Sequence, residues 1–204
     1  MGEFVMMTKL DWMKKQLYNI GEPCPEWYSY LREHHIDHKV MLAHCGIMAV
    51  TFCKAYETAD DQYVFEFAEC GDICVVIEGL VLSKVDGVYD YITVDLVAWP
   101  IGAPDHFATA MGPGAGIAIL GPVAAFHEPS DKTPLKLYRT PESWLVNGCE
   151  GSVVLKPEEA TRWLGRSDVP LICEDREHAS EVSQLLGEKA AKRDIFIPKI
   201  GRAA

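Results

Sequence analysis

The sequence predicts a mixed α/β protein in three successive parts: N-terminal helices, an antiparallel β region and a small C-terminal parallel sheet. Apolar residues recur at helical spacing before residue 45, and runs rich in Val, Ile, Phe and Tyr occupy residues 46–99. From residue 135, short strands alternate with helices, which favours parallel pairing. The predicted divisions are residues 1–7 (a cloning scar and the start), 8–45, 46–134 and 135–204.

Composition and charge are those of a globular protein. The chain has 204 residues, of which 49% are hydrophobic, and its formal net charge is −11. A chain of this length buries about 70% of its unfolded surface, so its core needs neither a disulfide nor a metal. Acidic residues outnumber basic ones by 30 to 19 and no basic run occurs, which argues against non-specific binding of nucleic acid or anionic lipid.

Cysteine usage and hydropathy predict a cytoplasmic protein. The seven cysteines are an odd number, and several lie in apolar runs, where free thiols act as small core residues. That usage fits a reducing compartment. No secretory signal is recognisable, and no apolar stretch reaches the roughly 18 residues of a membrane span.

Two helices are predicted in the N-terminal part. Thr8 and Asp11 form a variant of the capping box at the start of the first helix, and Gly21 ends it. The second helix runs from about Pro25 to Glu33.

The β region should form an antiparallel meander, because its connections are short. The predicted strands are Gly46–Tyr56, Gln62–Ala68, Ile73–Leu82 and Tyr91–Trp99. Residues 100–134 are rich in Gly and Pro and are expected to be a loop-rich insertion or a link, with residues 105–111 helical.

The C-terminal part predicts four parallel strands joined by right-handed helical crossovers. The strands are Leu135–Tyr138, Ser152–Leu155, Pro170–Cys173 and Ile195–Pro198. Thr140 and Asp175 are placed to cap the first and third crossover helices, and Pro157 to begin the second.

A ligand site is expected where these parallel strands end, because helix N-termini present free N–H groups there. The residues at this edge are Arg139, Thr140, Lys156, Glu174, Asp175 and Lys199. Three cations with a hydroxyl and two carboxylates would suit a phosphate or a carboxylate. The alternative is that Thr140 and Asp175 only cap helices while the charges form a solvated rim.

The histidine-rich segment from His34 to His44 raises the alternative of a zinc site. On one helix, His34 and His38 would share a face, and Cys45 or Cys24 could complete the ligands. No companion pair follows at zinc-finger spacing, so no tightly bound zinc is expected. The same residues are also ordinary at a helix end and in a polar loop.

Two further motifs point to chemistry only weakly. Cys70 and Cys74 are separated by three residues, one more than in a redox or zinc pair. The glycine-rich segment at residues 112–116 lacks the preceding strand and following helix of a dinucleotide-binding loop.

The stretch Leu135–Leu155, continued by Pro170–Asp175 and preceded by Val94–Trp99, resembles a family of proteobacterial and prophage proteins. It is also similar to a toprim domain, the catalytic fold of primases and topoisomerases. That resemblance implies a toprim-like or Rossmann-like unit with magnesium held by a glutamate after the first strand and aspartates after the third. Here Arg139 and Thr140 stand at the glutamate position, and only Asp175, with Glu174 as a substitute, matches the aspartates.

The leading functional prediction is a non-catalytic accessory protein of phage or mobile-element origin. Such a protein would bind a protein partner or a small anionic ligand and would need no cofactor. One alternative is a metal-dependent phosphotransfer or hydrolytic enzyme that uses Glu174 and Asp175. The other is a structural zinc protein.

Overall fold

A computed structural model describes residues 7–20, 25–58, 63–85, 88–112, 114–121, 134–164, 169–187 and 194–198. The helices are α1 (Lys9–Ile20), α2 (Pro25–Glu33), α3 (His38–Cys45), α4 (Pro141–Val146), α5 (Pro157–Leu164) and α6 (Arg176–Leu186). The strands are β1 (Met48–Glu57), β2 (Tyr63–Phe67), β3 (Asp72–Val85), β4 (Val88–Pro100), β5 (Ala108–Thr109), β6 (Ile119–Leu120), β7 (Leu135–Tyr138), β8 (Ser152–Val154), β9 (Leu171–Cys173) and β10 (Ile195–Phe196). The prediction of mixed helix and sheet is confirmed.

Local capping signals set the N-terminal helices. Thr8 and Asp11 form the reciprocal box at the start of α1, since each backbone N–H donates to the other side chain at 3.1 Å. The helix α2 has the predicted bounds. The helix α3 was not predicted; Asp37 caps it by accepting from Lys39 N at 2.8 Å.

The first sheet is a closed five-stranded barrel with the order β1-β2-β5-β4-β3. The antiparallel pairing predicted for this region is confirmed, whereas the predicted meander is wrong, because β1 lies between β2 and β3. The strand β5 lies in the segment predicted as helical, and it pairs antiparallel with β4 and parallel with β2. This short strand closes the barrel and so satisfies two strand edges that an open sheet would leave unpaired.

The two faces of the barrel strands pack against different parts of the chain. One face, which includes Cys53, Phe65 and Val76, packs against Met13 and Leu17 of α1. The other face packs against α2, α3, α4 and the second sheet. Its buried members on the barrel are Met48, Val50, Val75, Ile77, Val97 and Trp99.

The second sheet has five strands in the order β10-β9-β7-β8-β6. The strands β10, β9, β7 and β8 pair in parallel, whereas β6 pairs antiparallel with β8. This sheet thus takes one strand from the segment predicted as a link. The likeness to a toprim domain stays a prediction. In the part of the chain that the structure describes, no helix is both long and apolar enough to cross a bilayer.

Candidate functional site

The strand ends of β7 and β9 bring together three of the predicted site residues: Arg139, Glu174 and Asp175. Leu137 is paired with Cys173, so the residues that follow each strand are neighbours. Arg139 Nη1 and Nη2 lie 2.5 and 3.0 Å from the two carboxylate oxygens of Asp175. The backbone N–H of Arg139 donates to Glu174 Oε2 at 2.7 Å.

The guanidinium of Arg139 is already engaged by carboxylates of the protein. Besides Asp175, it contacts Glu181 Oε2 at 3.3 Å and Glu177 Oε2 at 3.8 Å. The bidentate bond to Asp175 lowers the pKa of that carboxyl to about 2 and raises the pKa of Arg139. An incoming phosphate would have to displace these carboxylates before it could bind the arginine.

Thr140 and Asp175 both cap helices, as predicted. Thr140 Oγ1 accepts from Ser143 N at 3.0 Å at the start of α4. Asp175 Oδ1 accepts from His178 N at 2.8 Å at the start of α6. Asp175 therefore serves two partners at once, a helix N-terminus and an arginine.

Lys156 does not share the surface of Arg139. Its side chain is only 2% exposed, and Nζ donates to the backbone carbonyls of Met111 and Gly112, each at 3.1 Å, and to that of Ala115. Carbonyl groups of the glycine-rich loop thus bind the ammonium group that was expected at the edge of the parallel sheet. Lys199 lies outside the described residues.

The carboxylates at the strand ends do not fit a magnesium site. Magnesium prefers several free carboxylate and water oxygens in octahedral geometry. Here both oxygens of Asp175 bond to Arg139, and Glu174 accepts from a backbone N–H. Among the described residues, no group of three or more His, Cys, Asp or Glu is arranged to hold a metal.

The histidine-rich segment is not one helix, so the premise of the zinc alternative is wrong. The chain turns between α2 and α3, where His35 has a positive φ of 54°. His34 Nδ1 lies 3.7 Å from Glu142 Oε1, whereas the ring of His38 packs edge-on against Trp27. Cys45 Sγ lies 3.5 Å from Cys149 Sγ. Cys24 is outside the described residues.

The structure also describes the other two motifs, the cysteine pair Cys70 and Cys74 and most of the glycine-rich segment. Cys70 is exposed in the turn before β3, whereas Cys74 is buried and hydrogen-bonds Cys53. The glycine-rich loop leads into the short strand β6 and no helix follows it directly. The carbonyls of Met111, Gly112 and Ala115 accept from Lys156. The N–H groups of Met111, Gly114 and Ile117 already donate to carboxylates of the protein, so they are not free to bind a phosphate.

Sequence reasoning missed the buried carboxylate of Asp95. This side chain is fully buried on β4 and accepts from the N–H groups of Leu96, Met111 and Ile117. Burial raises its pKa to about 6, although those bonds and the nearby Lys156 act in the opposite direction. The one available signal was an aspartate within the apolar run from Ile92 to Trp99.

A second feature that the sequence did not reveal is an apolar strand face whose last part is not covered by other elements and is exposed to solvent. Cross-strand neighbours on β1, β3 and β4 form rows of three. Met48, Ile77 and Val97 form the first row, Val50, Val75 and Trp99 the second, and Phe52, Ile73 and Ile101 the third. The first two rows are buried. Side chains of the third row are 47%, 45% and 42% exposed, respectively.

Comparison with protein-family models, with curated proteins and with solved structures gives no match. Function is therefore inferred from the geometry of this chain.

Proposed function

We propose that the protein is a non-catalytic binding module that docks a protein partner on the third row, formed by Phe52, Ile73 and Ile101. The observation that carries this proposal is the exposure of three large apolar side chains on neighbouring strands, in line with two buried rows. Single exposed apolar residues are ordinary on protein surfaces, whereas contiguous ones mark interaction sites.

The backbone around the third row holds these side chains in place. Phe52 and Ile73 are paired residues of β1 and β3, and Ile101 N donates to Ile73 O at 2.9 Å. These residues are already more than half buried, so covering the remaining surface of each side chain is worth roughly 1 kcal/mol before the costs of association. A partner could therefore gain affinity without inducing a change in the sheet.

The charges beside the third row indicate the chemistry of the partner. The exposed acidic residues on the adjoining strand, turn and loop are Glu66, Glu69, Asp72 and Asp105, of which Asp72 lies on the opposite strand face from Ile73. Glu66 is the cross-strand partner of Lys54, the exposed lysine on β1, so these two charges offset each other and the others leave an acidic excess. A matching segment would combine apolar side chains with lysine or arginine. A second copy of this chain would instead bring its own acidic residues against these.

The other functions predicted from sequence have less support in the contacts. Anion binding requires the Arg139 guanidinium, which Asp175 and Glu181 engage. The enzyme alternative requires free oxygens on Glu174 and Asp175, which already bond within the protein. The origin in phage or mobile elements rests on the sequence resemblance alone.

Selection from a phage-displayed library of short random peptides tests the proposal. Enriched sequences should combine aromatic or aliphatic residues with Lys or Arg. Synthetic versions should bind the protein in fluorescence anisotropy. Replacing Phe52 and Ile73 together by Ser should weaken that binding at least about tenfold. The replacement should leave the far-UV circular dichroism unchanged, because both side chains are exposed.

Val146→Ser is the matched control, since it removes an exposed apolar side chain from α4. It should leave peptide affinity unchanged. Three results would overturn the proposal. Enriched peptides could be acidic, compete with inorganic phosphate and depend on Arg139, which would restore the anion site. They could bind the Phe52/Ile73 variant as tightly as the wild type. Self-association that disappears in that variant would make a second copy the occupant.

A further inference from the structure

Two buried thiols, Cys45 and Cys149, meet between distant parts of the chain. Cys45 is the last residue of α3, and Cys149 lies in the turn between α4 and β8. Their sulfur atoms are 3.5 Å apart, and the side chains are 0% and 1% exposed. The two residues are 104 positions apart in sequence.

The backbone at both thiols is held by neighbouring structure. Gly46 caps the end of α3 next to Cys45. Cys149 N donates to Trp144 O at 3.0 Å, and Cys149 has a φ of 60°. This left-handed conformation favours glycine or asparagine, so a cysteine is an uncommon choice there. Unusual backbone at a reactive residue type is a reason to look for a role beyond packing.

We propose that Cys45 and Cys149 are the reduced form of a reversible disulfide, with hydrogen peroxide as the oxidant. One sulfur, as a thiolate, attacks the peroxide oxygen and the O–O bond breaks; with one proton taken up, the products are a sulfenic acid and water. The second thiol sulfur then attacks the sulfenic sulfur. The S–O bond breaks, the S–S bond forms and a second water leaves. Hydrogen peroxide is reduced to two waters while two thiols become one disulfide.

Burial makes this reaction slow and selective. The hydrogen bond between Cys45 and Cys149, together with burial, raises the pKa of Cys45, so little thiolate is present at neutral pH. A bulky oxidant such as glutathione disulfide has no direct access to sulfur atoms that are almost fully covered. Hydrogen peroxide is small enough to enter during brief local opening.

A second thiol contact within the same molecule should not form a bridge. Cys53 and Cys74 also hydrogen-bond each other, on β1 and β3. Cys53 is paired with Asp72, however, and Cys74 with Thr51, so the two cysteines are diagonal neighbours. Diagonal Cα atoms in a sheet are about 7 to 8 Å apart, beyond the usual range for a disulfide. This pair is an internal control for specificity.

The bridge would connect the end of α3 with the turn after α4, and both helices pack on the same face of the barrel. Closing a long loop reduces the entropy of the unfolded chain, so oxidation should raise the melting temperature by roughly 5 to 15 °C. The proposal does not depend on the docking of a partner at the third row.

Mild hydrogen peroxide treatment of the reduced protein tests the proposal. Remaining thiols are then blocked with N-ethylmaleimide in denaturant. The oxidised protein should carry two fewer maleimides, and peptide mapping without reductant should recover Cys45 and Cys149 in one cross-linked peptide. Dithiothreitol should reverse both the cross-link and the rise in melting temperature.

Two variants separate the proposed bridge from other oxidation. Cys149→Gly suits the left-handed backbone and should fold, yet it should lose the cross-link and the thermal shift. Cys70→Ala removes an exposed thiol and should retain both the cross-link and the thermal shift. The proposal is wrong if Cys45 and Cys149 remain fully alkylatable after Cys70 is oxidised. It is equally wrong if they oxidise to sulfinic acids without a cross-link, or if the bridge maps to Cys53 and Cys74.

Discussion

Asp95 and Lys156 form a buried ion pair that links the barrel to the second sheet. Asp95 Oδ2 and Lys156 Nζ lie 3.7 Å apart, and the side chains are 0% and 2% exposed. Both also bond to the loop between β5 and β6: Asp95 accepts its N–H groups at Met111 and Ile117, whereas Lys156 donates to its carbonyls. The loop is thus fixed from one side by an anion and from the other by a cation.

Breaking this pair on one side should be more costly than removing both charges. Lys156→Met leaves the Asp95 carboxylate buried without its cation and orphans three carbonyls, so it should destabilise the protein by about 3 to 5 kcal/mol. Combining it with Asp95→Asn should recover part of that loss, because the buried charge is gone. Urea denaturation of the three variants measures the coupling. Strictly additive effects would show that the two side chains act independently.

The pH dependence of stability should carry the signature of Asp95. Burial raises the pKa of this carboxyl from 3.8 to about 6, so between these values the folded protein binds a proton that the unfolded chain does not. Its contribution to stability should therefore increase as the pH falls from 7 toward 4. Burial lowers the pKa of His178, which opposes this trend. The difference in unfolding free energy between wild type and Asp95→Asn isolates the Asp95 part. A difference that stays constant from pH 7 to 4 would contradict the raised pKa.

Two glycines of the same loop should respond differently to alanine. Gly114 and Gly116 have φ values of 73° and 72°, so alanine pays the same backbone cost at both, about 1 to 2 kcal/mol. A Cβ at Gly114 meets nothing within 4 Å, whereas one at Gly116 would overlap Asp95 Oδ2. Gly116→Ala should therefore be clearly the more destabilising in thermal unfolding. Equal effects would mean that the loop can move away from Asp95.

Local signals in the sequence were enough to predict the helices and strands that begin with clear caps or periodicity. Thr8, Thr140 and Asp175 each accept a hydrogen bond from the helix that they were predicted to cap. These contacts span only three residues, so neighbouring sequence determines them. The helix α3 was missed because its eight residues carry weak amphipathic patterning, although Asp37 at its start was a recognisable cap.

Long-range contacts could not be predicted in this way. Barrel closure depends on β5, whose two residues Ala108 and Thr109 have no strand pattern of their own. The partner of Lys156 is Asp95, 61 positions away (156 − 95), and only the folded chain brings them together. Lys156 was therefore assigned to the ligand site at the ends of the parallel strands, although the fold directs its side chain into the loop before β6.

The two contacts of Asp175 can be separated with a matched pair of substitutions. Asp175→Asn retains a side-chain oxygen that can accept from His178 N, but it loses the charge that faces Arg139. Asp175→Ala loses both contacts, so it should lower the melting temperature more than Asn does.

Because the pKa of Asp175 is lowered to about 2 in the folded protein, its ion pair contributes to stability above the ordinary pKa of 3.8, and this contribution is lost as the pH falls through 2. The difference between wild type and Asn should shrink over that range, and in high salt, because the pair is solvent-exposed. The difference between Asn and Ala should persist under both conditions, since it measures the cap. If Asn and Ala were equally destabilised at neutral pH, Arg139 and not the cap would account for the contribution of Asp175.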